Sequence, residues 1–132
     1  MKNVTLLIFL FVGSLTFAQK MGNLKVEYNF LAINEGYDHD TKMELYVDGN
    51  LVMTSTVKKE SNGNNFSYKL TRGKHIIKLV NYTFYDGNFE VRSIANNYST
   101  EGTIEREVQI KKKNTIKVTF DLNQPDPIVT IK

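Results

Sequence analysis

Apolar and polar residues take turns along most of this chain, and a period of two is the spacing of a strand with one face on a core and one in water. Leu24, Val26, Tyr28, Phe30 and Ala32 share one parity, with Lys25, Glu27 and Asn29 between them. Met43, Leu45 and Val47 repeat the pattern, as do Phe66, Tyr68 and Leu70, then Ile104, Val108 and Ile110, then Ile116, Val118, Phe120 and Leu122. No window beyond the first eighteen residues favours helical spacing. Asp48-Gly49-Asn50, Ser61 through Asn65, Arg72-Gly73, Asp86-Gly87-Asn88, Asn96 through Gly102 and Lys112-Lys113-Asn114 punctuate the runs with turn chemistry. Strands are expected over 23–33, 42–47, 51–58, 65–70, 74–85, 89–95, 103–111 and 115–122. That rhythm predicts an all-β fold, a single immunoglobulin-like antiparallel β-sandwich of about seven to eight strands. Pro125 and Pro127 end the pattern, leaving 123–132 as an edge strand or tail. Ile76, Ile77, Leu79 and Val80 are apolar on both parities, which marks 74–85 as the central strand, covered on both sides.

The first stretch differs. Lys2 precedes an uncharged run from Val4 to Phe17, and Ala18 stands before the polar chain begins. This is the order of a secretory signal, too short to span a membrane. Cleavage is expected after Ala18, giving a signal at 1–18, a domain at 19–132 and no transmembrane span in the mature form. The domain must hold itself together without disulfides, because the chain has no cysteine. Export without cysteine suits a bacterial periplasm or surface. A formal charge of +3 for the whole chain is small and dispersed, apart from Lys111-Lys112-Lys113. Nucleic acid is therefore not an expected partner, and the lysine run reads as a solvated hairpin turn.

Tyr46-Val47-Asp48-Gly49, followed by Leu70-Thr71-Arg72-Gly73-Lys74-His75-Ile76-Ile77, resembles the PEGA domain, over about residues 43–80. The resemblance implies a small β-sandwich of the immunoglobulin-like or carboxypeptidase-regulatory-like kind, acting as a binding or spacer module. It implies no catalytic residue. The family's glycine-to-proline element is missing, with Thr54-Ser55-Thr56 in its place.

Chemistry has few candidates. Asp38-His39-Asp40 carries metal-ligand residue types, but neighbours on an extended chain point to opposite sides, and a third ligand from elsewhere would be required. His75 is expected to bond a turn carbonyl. Ser55, Ser61, Ser67, Ser93 and Ser99 lack a glycine-flanked nucleophile elbow. Asp86-Gly87-Asn88 offers oxygen ligands of the kind calcium takes, although a bare turn explains it. No cofactor and no catalytic residue is expected. Aromatic rings beside polar loops single out Tyr82, Tyr85, Asp86, Asn88, Phe89 and Tyr98 as candidate ligand-binding residues, with Phe84 nearby. Tyr82 and Tyr85 have opposite parity, so they cannot share a face. Asn65, Asn81 and Asn97 match the N-glycosylation pattern, which carries no meaning in a bacterial protein.

The expected role is a secreted or periplasmic, non-enzymatic envelope module with a protein or glycan partner. The alternatives are a small inhibitor or immunity protein capping a partner enzyme, and a small hydrolase or metal protein using the Asp38-His39-Asp40 loop.

Overall fold

A computed structural model of the chain describes residues 19–132. The expected signal at 1–18 and its cut lie outside the described residues. The strands are β1 (Met21–Leu31), β2 (Asp40–Val47), β3 (Asn50–Thr54), β4 (Lys58–Lys59), β5 (Asn64–Thr71), β6 (Gly73–Tyr85), β7 (Asn88–Val91), β8 (Thr103–Ile110), β9 (Lys113–Asp121) and β10 (Ile128–Ile131). Glu60–Asn62 and Ile94–Asn96 form short 3-10 turns.

One sheet runs β10-β9-β1-β5; the other runs β3-β2-β6, with β7 and β8 sharing the far edge of β6 and β4 on β2. The alternating faces meet between them in one apolar cluster. Leu24, Val26 and Tyr28 of β1, Met43 and Leu45 of β2, Leu79 of β6 and Phe120 of β9 are all within 2% of full burial. Phe30 and Phe120 stack with centroids 5.0 Å apart. Burying such side chains contributes about 1.5–3 kcal/mol each, which is how a chain without disulfides holds two sheets together.

The all-β sandwich expected from periodicity is present, with ten strands among the described residues rather than seven or eight. The expected strand at 51–58 is broken at Ser55, whose buried hydroxyl accepts the Met43 N–H at 2.9 Å. The first strand stops at Leu31 rather than 33, where Ala32 turns to a φ of 61°. The strand expected at 89–95 stops at Val91, because Arg92 turns into the protein.

Pairing departs from the antiparallel expectation at one ladder: β1 and β9 run parallel, from Asn23↔Lys113 to Leu31↔Asp121. Alternation fixes which face a residue takes, not the direction of its neighbour, so the sequence carried no sign of this. Two short turns also prove to be corners between sheets. Arg72 and Gly73 carry the chain from β5 in one sheet to β6 in the other, and Lys111-Lys112 carries it from β8 to β9. The lysine run is thus no hairpin. Asn114 pins it, accepting the Lys111 N–H at 2.9 Å and donating to the carbonyls of Lys111 and Asn23. The Asp48-Gly49 and Asp86-Gly87 turns are true hairpins. Both residues of each take positive φ (50° and 86°, 49° and 82°), as a type I′ turn demands.

β6 is central in the plane of its sheet, pairing with β2 on one side and with β7 and β8 on the other. It is covered on both faces only in part: Ile77 and Leu79 face the core, and on the outer side Val80 is buried while Ile76 is 39% exposed. β7 and β8 behave as one edge strand with an excursion. Arg92 donates its N–H to the Asn81 carbonyl, Asn81 donates to Gly102, and Gly102 donates back to Arg92, all at 2.8–2.9 Å. Residues 93–101 loop out between them. A Cβ on Gly102 would sit 2.6 Å from the Arg92 carbonyl oxygen, so only glycine closes this neck.

Candidate functional site

The excursion at 93–101, the loop after β1 and the end of the β6–β7 hairpin surround a cleft of about 590 Å³. That volume falls in the range of small-molecule seats. Its floor is an ion pair. Glu60 and Arg92 are only 1% and 3% exposed, and an Arg92 Nη2–H donates to Glu60 Oε1. Arg92 Nε donates to Asn81 Oδ1 at 2.9 Å, and the Asn81 amide donates to Thr41 Oγ1 at 2.7 Å. Thr41 in turn donates to the Tyr82 carbonyl at 2.8 Å. The guanidinium lies against the rings of Phe30 and Tyr98, 5.0 and 5.1 Å from their centroids. Planar, permanently charged arginine stacks on aromatic rings in a way that lysine does not. Burial pushes the Glu60 carboxyl above the ordinary carboxylate range, and the neighbouring Arg92 opposes that rise.

The wall is built from β7 and the excursion. Tyr98 donates its hydroxyl to Glu90 Oε1 at 2.5 Å, and burial together with that bond drives the Tyr98 hydroxyl pKa upward. Ser93 caps the 3-10 turn by accepting the Asn96 N–H, and Asn97 closes it in the left-handed region at φ 67°. Ser99 donates to the Leu122 carbonyl at 2.7 Å. The rim carries Tyr37 and Tyr85, 64% and 58% exposed, with the His39 ring edge-on to both at 6.3 and 6.1 Å.

The candidate residues are divided between two places. Tyr85 and Tyr98 line the cleft. Tyr82 and Phe89 sit together on the outer face of the β2-β6 sheet, with the Lys42 ammonium 5.4 and 4.6 Å from their centroids, and Phe84 packs edge-on to Phe89. The β6 parity that separates Tyr82 from Tyr85 is the reason. Asp86 and Asn88 are exposed at the tip of the hairpin, outside the cleft lining.

The Asp38-His39-Asp40 run is dispersed. Asp38 accepts the Ser61 hydroxyl at 2.6 Å and the Ser61 N–H at 3.0 Å, which holds its carboxyl below the usual range. Asp40 pairs with Lys59 at 3.2 Å. Only His39 reaches the cleft. Among the described residues no group of three histidines, aspartates or glutamates is arranged to hold a metal ion. Asn81, one of the glycosylation-pattern residues, is fully buried.

Glu60, Arg92, Glu90, Tyr37 and the amides of Asn34, Asn96 and Asn97 were not visible as a set. Glu60 follows two lysines and reads as a solvated loop residue, and its partner lies 32 positions away. His75 does bond the turn carbonyl it was expected to: Nε2 lies 2.8 Å from the Thr71 carbonyl oxygen, and Nδ1 lies 2.7 Å from Asp48 Oδ2. The Thr71 hydroxyl also lies 3.1 Å from Nε2. The hydrogen bond to Asp48 raises the imidazole pKa. Asp48 also accepts the Ile76 N–H at 2.9 Å. The two halves of the PEGA-like pattern are thereby fastened to each other.

No family model matches the chain. No curated protein matches it either. Among solved structures, its strands superpose on the membrane-binding domain of pneumolysin with a TM-score of 0.43 and 13% identity, covering 86% of this chain and 96% of that one. A non-haemolytic pneumolysin from Streptococcus pneumoniae strain ST306 gives 0.43 and 13%, over 88% of this chain and 24% of that one. A disulfide-locked intermedilysin with human CD59 gives 0.44 and 10%, over 86% and 24%. The chain spans about a quarter of the length of those whole toxins.

Proposed function

We propose that the chain is an exported, non-enzymatic binding module of a bacterial cell envelope, released as residues 19–132 after cleavage at Ala18, and that its ligand sits in the cleft at the Tyr85 end of the sandwich. The observation that carries the reading is the construction of that cleft. Fixed donors and acceptors stand at its base, exposed aromatic rings at its rim, and both of its carboxylates are engaged by neighbours. A seat with fixed polar groups and no free nucleophile–base pair serves recognition rather than turnover. The hydrolase alternative loses its motif, because Asp38 and Asp40 are held by Ser61 and Lys59.

The test is to express the full chain in a bacterial host, fractionate the cells and sequence the N-terminus, then measure retention of the processed protein on isolated envelopes. The expected product begins at Gln19 outside the cytoplasm, and Tyr85→Ala lowers its retention. A cytoplasmic product still carrying its first eighteen residues, or retention indifferent to Tyr85→Ala, would contradict the reading.

A further inference from the structure

We infer that the cleft takes an uncharged saccharide, one or two sugar rings long; this rests on the reading of the cleft as the ligand seat. The charges at its base decide against an ionic ligand. Arg92 is 97% buried, and Nε and Nη2 have protein acceptors, but Nη1 has none among the described residues. Nη1 is also absent from the fully enclosed orphan atoms, where Thr83 Oγ1 stands alone among the described residues. Arg92 lines the cleft, and the cleft is where this donor can meet a ligand.

An anion drawn to that donor would meet the carboxylates of Glu60 and Glu90, which line the same space. A cation drawn to the carboxylates would meet Arg92. Either ligand would also leave its own charge to be desolvated beside one of like sign. Hydroxyl groups avoid both penalties. Each donates to a carboxylate oxygen or accepts from the guanidinium without bringing a charge out of water, and each polar group at the base then gains a partner. The side-chain amides of Asn34 and Asn97 supply donors and acceptors of the same neutral kind, and neither has a side-chain hydrogen bond among the described residues. The exposed rings of Tyr37 and Tyr85 complete the match, because the C–H face of a pyranose lies flat on an aromatic face while its hydroxyls point to polar groups at the edge. The volume of about 590 Å³ admits one or two such rings.

The test is an NMR titration of the isotope-labelled protein with glucose, galactose, mannose, N-acetylglucosamine, cellobiose, maltose and N,N′-diacetylchitobiose, with glucuronate and choline as charged arms. A neutral sugar is expected to shift the signals of Tyr85, Tyr98 and Asn97. Tyr85→Ala, at an exposed position that does not threaten folding, should weaken that binding about tenfold. Tyr46→Ala, on the outer face beneath Lys78, should leave it unchanged. A panel of neutral sugars that leaves the cleft signals in place overturns the inference. Shifts at the cleft from glucuronate or choline alone overturn the ligand class while sparing the cleft as a seat. Silence from every probe, joined with envelope retention indifferent to Tyr85→Ala, overturns both.

Discussion

The two ends of β6 each carry a charged pair, and the pairs are built in opposite ways. Near its start, His75 meets Asp48 at the surface, with side chains 13% and 50% exposed. Both nitrogens of the ring and both oxygens of the carboxylate have hydrogen-bond partners. Near its end, Asn81 leads to Arg92 and Glu60, almost wholly enclosed and with a guanidinium nitrogen left over. The first pair is a latch that joins a hairpin to a corner. The second is costly to enclose and gains little over an apolar filling, because removing two ions from water offsets most of their attraction. On the proposed reading, the buried pair with its unspent donor serves the cleft beside it.

The sharpest way to break this comparison is to remove one member of each pair. Arg92→Met leaves Glu60 enclosed without its partner, and unfolding in denaturant should show a loss of about 3–5 kcal/mol. His75→Gln at the other end should cost far less, because Asp48 is half exposed and water can satisfy it when its partner is removed. If the two losses were equal, the distinction between latch and floor would fail.

A second prediction tests the corner end through packing rather than charge. A Cβ on Gly22 would lie 2.1 Å from the carbonyl oxygen of Lys111, a backbone atom that cannot swing away. Gly22→Ala should therefore lower stability by about 1–3 kcal/mol, read from the same denaturation curve. A smaller change is expected at the cleft end from Thr83→Val. The Thr83 hydroxyl is buried and has no partner among the described residues. Replacing it with a methyl of similar shape should leave stability unchanged or raise it by about 1 kcal/mol.

The alternation of β1, β2, β8 and β9 made the sandwich and its core legible in the sequence, because one parity of each strand is buried almost without exception. The Asp-Gly turns were legible for a similar local reason, since few residues tolerate positive φ. Sheet membership was not. A corner such as Lys111-Lys112 and a hairpin such as Asp86-Gly87 both join two alternating strands with a short polar turn. The lining of the cleft was half legible. Tyr85 and Tyr98, conspicuous as aromatic rings beside polar loops, do line it, whereas Tyr82 and Phe89 were drawn into the same group by nearness in sequence, which the pleat overrides. Arg92 and Glu60 gave no sign, because nothing local distinguishes a charge that will be buried by a partner 32 residues away.

The mildest prediction concerns pH. The folded-state pKa of His75 is raised, so the stability it contributes is complete below its ordinary value of about 6.5 and is lost as pH climbs through the raised one. Asp48 is lowered by its bonds to His75 and Ile76, so its contribution is complete above about 3.9 and is lost as pH falls through the depressed value. The latch is therefore tightest between the two. Thermal melts across mildly alkaline pH should show a small decline that His75→Gln abolishes, with the cleft-end variants showing the same decline as the parent.

The most direct test replaces both ions of the floor at once, as Glu60→Leu with Arg92→Met, and follows the double variant by denaturant unfolding and by titration with the neutral sugar that the parent binds. Stability should return to the parent's value or exceed it, while the sugar-induced shift at Tyr85 disappears. A double variant as unstable as Arg92→Met alone, or one that still binds the sugar as the parent does, would contradict the assignment of this pair to the ligand rather than to the fold.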